Sequence, residues 1–295
     1  MKPIRELNSG VKYMLFASFL FAIMGAFAKL ASEHMSSLEV VFFRNIFGVI
    51  FIGYALYKTP MVQKGGRPFL LFFRGLMGFL ALLAYFYNIA HIPLGDAVTF
   101  SKTAPIFTAI FAWLFLNEKL TLNAWFAIVI GFCGILLITQ PSGIGFTKYD
   151  ILGIFSGVGA ALAYTSIREL KNYYDTRMIV LSFTFVGTVG PIALFILSKY
   201  FYISELDFIL GEFVMPSGVV WFYVIGLGSL GTLSQYYMTK AYSETKAGIV
   251  GAVSYTNIVF AILVGLMLGD APPSAVTACG IALIVAAGIM VAKAK

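Results

Sequence analysis

The sequence predicts an all-α integral membrane protein of ten transmembrane helices, arranged as two inverted repeats of five helices each. Three observations lead to this prediction. Of the 295 residues, 60% are hydrophobic and only 11% are charged, whereas soluble domains carry about 25% charged residues. Apolar runs long enough to cross a bilayer recur along the whole chain, and basic residues concentrate on one side of them. A soluble fold of this length could not bury so much apolar surface.

Five apolar runs occupy the first half of the chain. A transmembrane helix needs about 20 mainly apolar residues to cross about 30 Å of hydrocarbon. By this measure the predicted spans are 10–31, 37–57, 68–91, 95–116 and 121–139. The first run resembles a signal sequence, but it exceeds the usual apolar core of about 7–15 residues and further spans follow it. We therefore expect a retained first helix.

The second half contains five more runs, at 149–170, 178–198, 216–240, 247–268 and 274–292. Proline and glycine residues mark many of the ends, as in 92–96 and 270–273. Because none of the runs alternates with a period of two residues, they favour helices over the strands of a membrane barrel.

Lysine and arginine residues set the expected orientation of these spans. With the N-terminus in the cytoplasm, fourteen basic residues fall on cytoplasmic loops and ends, and only Lys148 and Lys199 fall on outer loops. This asymmetry explains the formal net charge of +7 without a nucleic-acid partner, since the basic residues form no dense patch. We expect both termini in the cytoplasm and the protein in the plasma (inner) membrane.

The two halves also resemble each other. At an offset of 152 residues, six apolar positions between Val98 and Leu116 meet identical residues between Val250 and Leu268. Because five spans is an odd number, the second half enters the membrane from the opposite side to the first. The predicted repeats are 1–142 and 143–295, in the inverted arrangement that many secondary transporters use for alternating access.

Four basic residues, Lys29, Arg44, Arg74 and Lys102, lie inside predicted spans. A charge at the centre of a bilayer costs at least about 2.5–3.5 kcal/mol on insertion scales, so each needs a reason. Lys29 lies near the outer end of the first span, where its side chain can reach the interface. Arg44 and Arg74 lie about two turns into their spans, and both a structural role and a cavity role are open for them.

Lys102 lies in the same span as Pro105. The proline has no N–H, so it leaves the carbonyl of Ser101 without its usual helical partner. Residues three apart share one helix face, and an opened backbone beside a charge is tolerated only against protein or water. We therefore expect this face to line a central cavity, with a lysine that reaches the interface as the alternative. The repeat puts Ser254 and Asn257 at the equivalent positions.

Further candidates are polar residues on other spans. Tyr85, Asn88, Gln235 and Tyr255 could orient a small polar solute, although many tyrosines near helix ends belong to the interfacial belt. His91 is a candidate for ion coupling because histidine titrates near neutral pH, with an interfacial position as the alternative. Arg44 and Lys102 are the first choices for holding substrate charge. Tyr85, Asn88, Gln235, Tyr255 and Asn257 are the second choices, and Lys29, Arg74, His91 and Ser254 have possible coupling or secondary roles.

The acidic residues point to the kind of substrate. None lies at the middle of a predicted span, and Glu39, Asp96 and Asp270 all lie close to predicted ends. A cavity lined by basic residues without acidic partners attracts anions. The expected substrate is an organic anion, such as a carboxylate or a phosphate-bearing metabolite.

Three stretches carry a resemblance to a known family: "VVFFRNIFG" (40–48), "FRGLMGFLALLAYFYNIAHIPLGDAV" (73–98) and "TFSKTAPIFTAIFAWLFLNEKLT" (99–121). With the ten-span pattern, they resemble the drug/metabolite transporter superfamily, and specifically its EamA-type branch of ten-helix permeases. The resemblance covers almost the whole chain. It implies a transporter, but not a substrate, because the family moves amino acids, nucleotide-related metabolites, sugars and organic acids.

The chain departs from the family pattern at three positions. Asn117 replaces the glycine of the glycine–glutamate step that follows the fourth helix. In the second repeat, Asp270 replaces the glutamate and Asn257 replaces the proline.

An enzyme is not expected. The segment "GLGSLG" (226–231) matches a dinucleotide-binding pattern but lies within a predicted span, so we interpret it as small-residue helix packing. Cys133 and Cys279 provide neither a disulfide framework nor a metal site, and His34 and His91 are the only histidines. No catalytic residue, metal or cofactor is therefore expected.

The sequence thus predicts a secondary transporter that moves a small organic metabolite, most simply an organic anion, by alternating access. The alternatives are an exporter of amphipathic, neutral or cationic solutes, such as amino acids or drugs, and a non-transporting membrane scaffold or sensor. The expected partners are a small-molecule substrate and the lipid bilayer, with no nucleic acid. A homodimer is left open.

Overall fold

A computed structural model describes residues 9–59, 65–116, 121–139, 147–201, 206–245 and 247–293. Within these ranges the chain forms helices and no strands. The helices are α1 (Ser9–Ser32), α2 (Ser37–Lys58), α3 (Pro68–His91), α4 (Leu94–Ser101), α5 (Ala104–Leu116), α6 (Leu122–Thr139), α7 (Lys148–Leu170), α8 (Thr176–Ser198), α9 (Val220–Glu244), α10 (Ala247–Ser254), α11 (Thr256–Met267) and α12 (Ala275–Lys293).

These helices account for all ten predicted spans. Eight spans are single helices, and two spans are broken, one into α4 and α5 and the other into α10 and α11. Helices α1, α2, α3, α7 and α8 are each long and apolar enough to cross a membrane. The prediction of an all-α integral membrane protein with ten transmembrane helices is therefore confirmed. The repeat boundary predicted at residue 142 lies outside the described residues and stays a prediction.

One span begins later than predicted. The sequence predicts the eighth span at 216–240, but α9 runs from Val220 to Glu244. The positive φ of Gly218, +52°, interrupts the chain just before the helix begins. At the other end, the extended backbone of Thr245 ends the helix.

The two broken spans are interrupted at equivalent positions of the repeat. The first break contains Lys102 and Thr103, and the second contains Tyr255, which the offset of 152 residues aligns with Thr103. In the first break the Thr103 hydroxyl donates to the carbonyl of Phe100 at 2.7 Å. In the second, the Thr256 hydroxyl donates to the carbonyl of Val253 at 2.8 Å. Hydroxyl groups thus bond to backbone groups close to both breaks.

The packing follows an approximate twofold relation between the halves. Helix α1 packs on α9 as α7 packs on α3, and α1 packs on α10 and α11 as α7 packs on α4 and α5. The contacts between α2 and α8 and between α6 and α12 join equivalent spans of the two halves. The two repeats therefore interlock, and most contacts that form the centre of the bundle join the first half to the second.

Two faces of the bundle follow from the helix order. We call the face where α1 begins the N-terminal face and the other the distal face. Helix α7, the first of the second half, begins at the distal face, which is the inverted order that the sequence predicts. Between the faces the bundle exposes many large apolar side chains, among them Phe16, Phe51, Phe72, Phe185 and Ile225, as a surface in contact with lipid requires.

Candidate functional site

A cavity lies between the two halves at the centre of the bundle. Its volume is about 670 Å³, counting the part that is open to solvent. Three of its lining residues are basic, and none of those that the structure describes is acidic. The lining residues are Phe21, Met24, Arg44, Arg74, Gly78, Ala81, Leu82, Tyr85, Val98, Ser101, Lys102, Ser156, Ala160, Ala163, Tyr164, Phe183, Gln235, Met238 and Asn257.

Arg44 enters the cavity from α2 and is held by neutral hydrogen-bond acceptors. Its Nη1 donates to Oδ1 of Asn45 at 2.9 Å, and its Nη2 donates to the carbonyl of Gly231 at 2.9 Å and to Oε1 of Gln235 at 3.3 Å. The side chain of Asn45 is itself fixed, because Nδ2 donates to the carbonyl of Val41 at 2.8 Å. Both terminal nitrogens of this guanidinium group therefore have protein partners, whereas its buried Nε has none among the described residues.

Arg74 enters the same region from α3, but its guanidinium group is held differently. Its Cζ lies 4.8 Å from the ring centroid of Phe183, and the Cζ of Arg44 lies 4.9 Å from the same centroid. The two carbon atoms are therefore at most 9.7 Å apart, the sum of those distances. The residue is only 1% exposed. Within the described ranges no hydrogen-bond acceptor contacts its side chain, and its buried Nε lacks a partner.

Lys102 is the third basic residue and lies in the break between α4 and α5. Its backbone N–H still donates to carbonyls of the last turn of α4, those of Val98 and Thr99, both at 3.0 Å. The residue is 9% exposed, and its Nζ lies 5.9 Å from the ring centroid of Phe21. No acceptor or acidic partner of the ammonium group occurs among the residues the structure describes. The lysine thus lines the cavity, as the proline beside it predicts.

Polar residues of both halves complete the wall. Tyr85 of α3, Gln235 of α9 and Asn257 of α11 are lining residues that the sequence also selects. The amide of Asn257 is already engaged, since Nδ2 donates to the carbonyl of Ser18 at 2.8 Å. Ser156 and Tyr164 of α7 also line the cavity. The sequence shows Tyr164 as a polar residue of a candidate cavity helix, but neither residue is among the selected site residues.

Three other selected residues do not line the cavity. The amide of Asn88 donates to the carbonyl of Tyr149 at 2.9 Å, and the Ser254 hydroxyl donates to the carbonyl of Gly251 at 2.7 Å. Tyr255 is buried, and its hydroxyl has no partner in the part of the chain that is described.

His91 lies at the distal face, in an aromatic cluster. Its ring stacks on Tyr87 at a centroid distance of 4.2 Å and on Tyr149 at 5.5 Å. The Tyr87 hydroxyl donates to Asp207 at 2.8 Å, and Lys148 forms an ion pair with the same carboxylate. Partial burial by itself would raise the pKa of Asp207. The hydrogen bonds from Lys148 and Tyr87 have the larger, opposite effect together, so the pKa of Asp207 lies below its usual value.

Lys29 also lies at the distal face, where it connects the two halves. It forms an ion pair with Asp270, which lies between α11 and α12. The other carboxylate oxygen of Asp270 accepts the backbone N–H of Leu94, the first residue of α4, at 2.9 Å. One carboxylate thus joins the end of α1, the start of α4 and the end of α11. We call these three residues, Lys29, Leu94 and Asp270, the distal latch.

Small residues bring the helices around the cavity close together. The predicted packing role of 226–231 agrees with the structure: Gly226 packs against the ring of Phe27, and Gly228 packs against the ring of Phe47. A Cβ on Gly231 would lie 3.0 Å from Cγ and Nε of Arg44, so a side chain here would require Arg44 to shift by a few tenths of an ångström. Among the described residues, no group of three or more His, Cys, Asp or Glu residues could hold a metal ion.

Ten spans in two inverted halves, with a buried polar cavity between them, define a membrane transporter for small molecules. The comparisons with known proteins agree. The model of the EamA-like transporter family matches residues 8–140. An uncharacterized transporter of Helicobacter pylori is 36% identical over 292 residues, which are 96% of this chain and 94% of the relative. The chain therefore belongs to the EamA-like transporter family, within the drug/metabolite transporter superfamily, and it is a transporter and not an enzyme.

Two other relatives and one solved structure extend the comparison. The pseudopaline exporter CntI of Pseudomonas aeruginosa is 35% identical over 98% of both chains. An S-adenosylmethionine uptake transporter of Rickettsia felis is 24% identical over 98% of this chain and 94% of its own. A crystal structure with 18% sequence identity has a TM-score of 0.61 and covers 96% of both chains, which shows a shared fold. The family thus includes proteins named for uptake and for export.

Proposed function

We propose that this transporter moves a small organic anion across the membrane by alternating access, with the anion bound in the central cavity. The observation that carries the proposal is the charge of the cavity wall. Arg44, Arg74 and Lys102 converge on one cavity, and the described lining residues include no acid.

Buried charge without a counter-ion makes this cavity favourable for an anion. A buried cation without a counter-ion is costly, because desolvation is not offset by Coulombic attraction. An anion that enters the cavity supplies this attraction in a region of low dielectric constant. The same field repels cations from the site. The charge of the cavity wall therefore favours a negatively charged solute over a neutral or positive one.

The polar residues of the wall would orient the solute. Tyr85, Gln235 and Asn257 supply hydroxyl and amide groups beside the basic residues, and Ser156 and Tyr164 of α7 add two more hydroxyl groups. We do not assign substrate contacts to Asn88 or Tyr255, because neither lines the cavity.

Alternating access requires one face to close while the other opens. The distal latch supports closure of the distal face, since the ion pair of Lys29 and Asp270 joins the two halves there. With the N-terminal face in the cytoplasm, as the distribution of basic residues favours, the latch would close the outer side. The glycine contacts between helices would let the halves rock against each other.

The test is transport by the purified protein in proteoliposomes. Labelled carboxylates, sugar phosphates, neutral amino acids and polyamines would be compared for the wild type and Lys102→Met. The matched control is Lys199→Met, which removes the same charge from an exposed position outside the cavity. We expect saturable anion flux that Lys102→Met abolishes and Lys199→Met preserves. Flux of polyamines or neutral solutes that is indifferent to both changes would contradict the proposal.

A second candidate function is export of an amphipathic, neutral or cationic metabolite. The 35% identity to the pseudopaline exporter over nearly the whole chain favours it. In this case the basic residues would be structural, as the neutral partners of Arg44 illustrate. Counterflow with substrate loaded inside the vesicles distinguishes the two functions, because the solute class that exchanges identifies the function.

A further inference from the structure

We propose that the substrate carries two acidic groups, one bound by Arg74 and the other by Lys102, whereas Arg44 is a positioning residue. This inference rests on the proposed function and adds to it the number of charges on the substrate and the residue that receives each. From the sequence, Arg44 is a first choice for holding substrate charge and Arg74 has only a secondary role. The inference exchanges these two roles.

Arg44 is excluded as the main receptor by the partners it already has. The carbonyl of Gly231 and the side-chain oxygens of Asn45 and Gln235 accept hydrogen bonds from its two terminal nitrogens. Gln235 is fixed in turn, since its Nε2 donates to Oγ1 of Thr239 at 3.3 Å. A substrate would have to displace these acceptors to reach the same nitrogens. Arg44 therefore contributes its field and holds α2 against α9.

Arg74 differs from Arg44 in its hydrogen-bond partners. It is as deeply buried as Arg44, each being 1% exposed, and it lies on the same aromatic ring. Yet over the described ranges its guanidinium donors meet no acceptor. A guanidinium group has five N–H donors in a planar fork that matches a carboxylate or a phosphate. A buried fork without acceptors, on the wall of a cavity, is the arrangement that an acidic group of a ligand would complete.

Lys102 provides a second, separate receptor. Its ammonium group has three donors, and the described part of the chain offers it the ring of Phe21 but no oxygen acceptor. It comes from the break after α4, whereas Arg74 comes from α3, and the two side chains lie against different aromatic rings. One acidic group satisfies one of these cations and leaves the other unpaired. Two acidic groups on one molecule satisfy both.

The other residues of the cavity wall restrict the part of the substrate between its two acidic groups. Apolar side chains such as Met24, Leu82 and Val98 lie between the polar ones, which suits a short carbon skeleton. A substrate amino group would meet three cations and no described carboxylate. We therefore infer a dianion without an amino group, such as a short dicarboxylate or a phosphorylated carboxylate.

The first experiment measures ligand binding to the whole protein in detergent. The readout is the increase in the thermal unfolding midpoint that each ligand causes. The probes are dicarboxylates of three to six carbons, monocarboxylates of the same lengths, phosphoglycerate and α,ω-diamines. We expect the best dianion to bind about tenfold more tightly than the matched monocarboxylate, since it makes a second charge-assisted contact. Phosphoglycerate and the dicarboxylates, compared at equal concentration, distinguish a phosphate receptor from a carboxylate receptor.

Variants then test whether Arg74 and Lys102 each bind one acidic group of the substrate. Arg74→Met and Lys102→Met should each remove the advantage of the dianion and leave weak monocarboxylate binding, whereas Lys199→Met should change nothing. Lys102→Glu is the sharper variant, because it should reverse the preference from the dicarboxylate to the ω-amino acid of equal length. A merely structural role of Lys102 predicts no such reversal, even if the variant is less stable.

Failure of this inference can be distinguished from failure of the proposed function. If dicarboxylates and monocarboxylates bind equally and Lys102→Glu abolishes both, the two-receptor inference is wrong but an anion transporter remains. If diamines bind and anions do not, the proposed function is wrong as well. No binding by any member of the anion series would also overturn the inference.

Discussion

Arg44 and Arg74 have the same charge, the same burial and the same aromatic neighbour, and they differ only in their hydrogen-bond partners. The difference comes from the helix opposite each arginine. On α9, Gly231 and Gln235 are four residues apart and therefore lie on one face, so that a backbone carbonyl and a side-chain oxygen meet Arg44 together. At Arg74 the neighbouring helix α8 presents the ring of Phe183 instead.

This arrangement makes Gly231 a critical residue, and we predict that Gly231→Ala destabilises the protein. The new Cβ would lie 3.0 Å from Cγ and Nε of Arg44 and 3.2 Å from Sδ of Met24, and overpacking of this kind costs about 1–3 kcal/mol. The measurement is the thermal unfolding midpoint in detergent. Gly53→Ala is the control, because no described atom lies within 4 Å of a Cβ there; it should be neutral or stabilising by up to about 1 kcal/mol. Equal midpoints for the two variants would contradict the prediction.

At the scale of single residues, the sequence predicts charged cavity residues well and neutral ones less well. A charge in an apolar run needs a reason, and this requirement singles out Arg44, Arg74 and Lys102, together with Lys29, which lies outside the cavity and pairs with Asp270. Ser156 and Tyr164 carry no such signal, because serine and tyrosine are tolerated on many faces of a transmembrane helix. Since these helices are apolar all round, their pattern does not show which side faces the cavity.

The two broken helices show how a local backbone feature positions a functional side chain. A proline alone does not cause the break, since Pro191 lies inside the continuous helix α8. Beside Pro105, the hydroxyl of Thr103 also occupies the carbonyl of Phe100, and the helix stops for two residues. Gly251 of α10 packs against the ring of Pro105, at 3.3 Å from a Cβ position. The two broken spans therefore contact each other near their breaks.

We predict that Pro105→Ala lowers transport without unfolding the protein. Alanine restores the N–H that can bond to the carbonyl of Ser101, so α4 and α5 can join and move Lys102 from the cavity wall. Loss of one charge-assisted contact corresponds to about tenfold weaker substrate binding, which the concentration dependence of uptake would measure. Pro191→Ala, in the unbroken helix, should leave transport unchanged. Wild-type uptake by Pro105→Ala would show that the break does not position the lysine.

At the scale of helices, hydropathy and length predict nearly the whole fold, because a span has to cross a fixed thickness of hydrocarbon. The third span is predicted at 68–91, and α3 has these bounds. The second break is not predictable in the same way as the first, because Asn257 replaces the proline there. The shift of α9 depends on a backbone dihedral angle at Gly218, which composition does not reveal.

For the whole molecule, the approximate twofold relation explains why the site lies where it does. Contacts between α1 and α9 and between α3 and α7 join the halves, so the cavity is lined by both. At the distal face the two halves meet at Asp270, whose carboxylate binds Lys29 of α1 and the first residue of α4.

We predict that breaking the distal latch opens the cavity toward the distal face. Asp270→Asn keeps the shape of the side chain but removes the charge that binds Lys29, so the open state should become more populated. The readout is labelling of Ser101→Cys, a cavity position, by a membrane-impermeant maleimide on intact cells, after Cys133 and Cys279 have been changed to serine. Labelling should increase several-fold in Asp270→Asn, and the swap of Lys29→Asp with Asp270→Lys should restore the low rate. Asp96→Asn is the control, since Asp96 and Asp270 line one small pocket at the distal face and Asp96 takes no part in the ion pair. If Asp96→Asn raises the labelling as much as Asp270→Asn does, the gate depends on general acidity at this face and not on the latch.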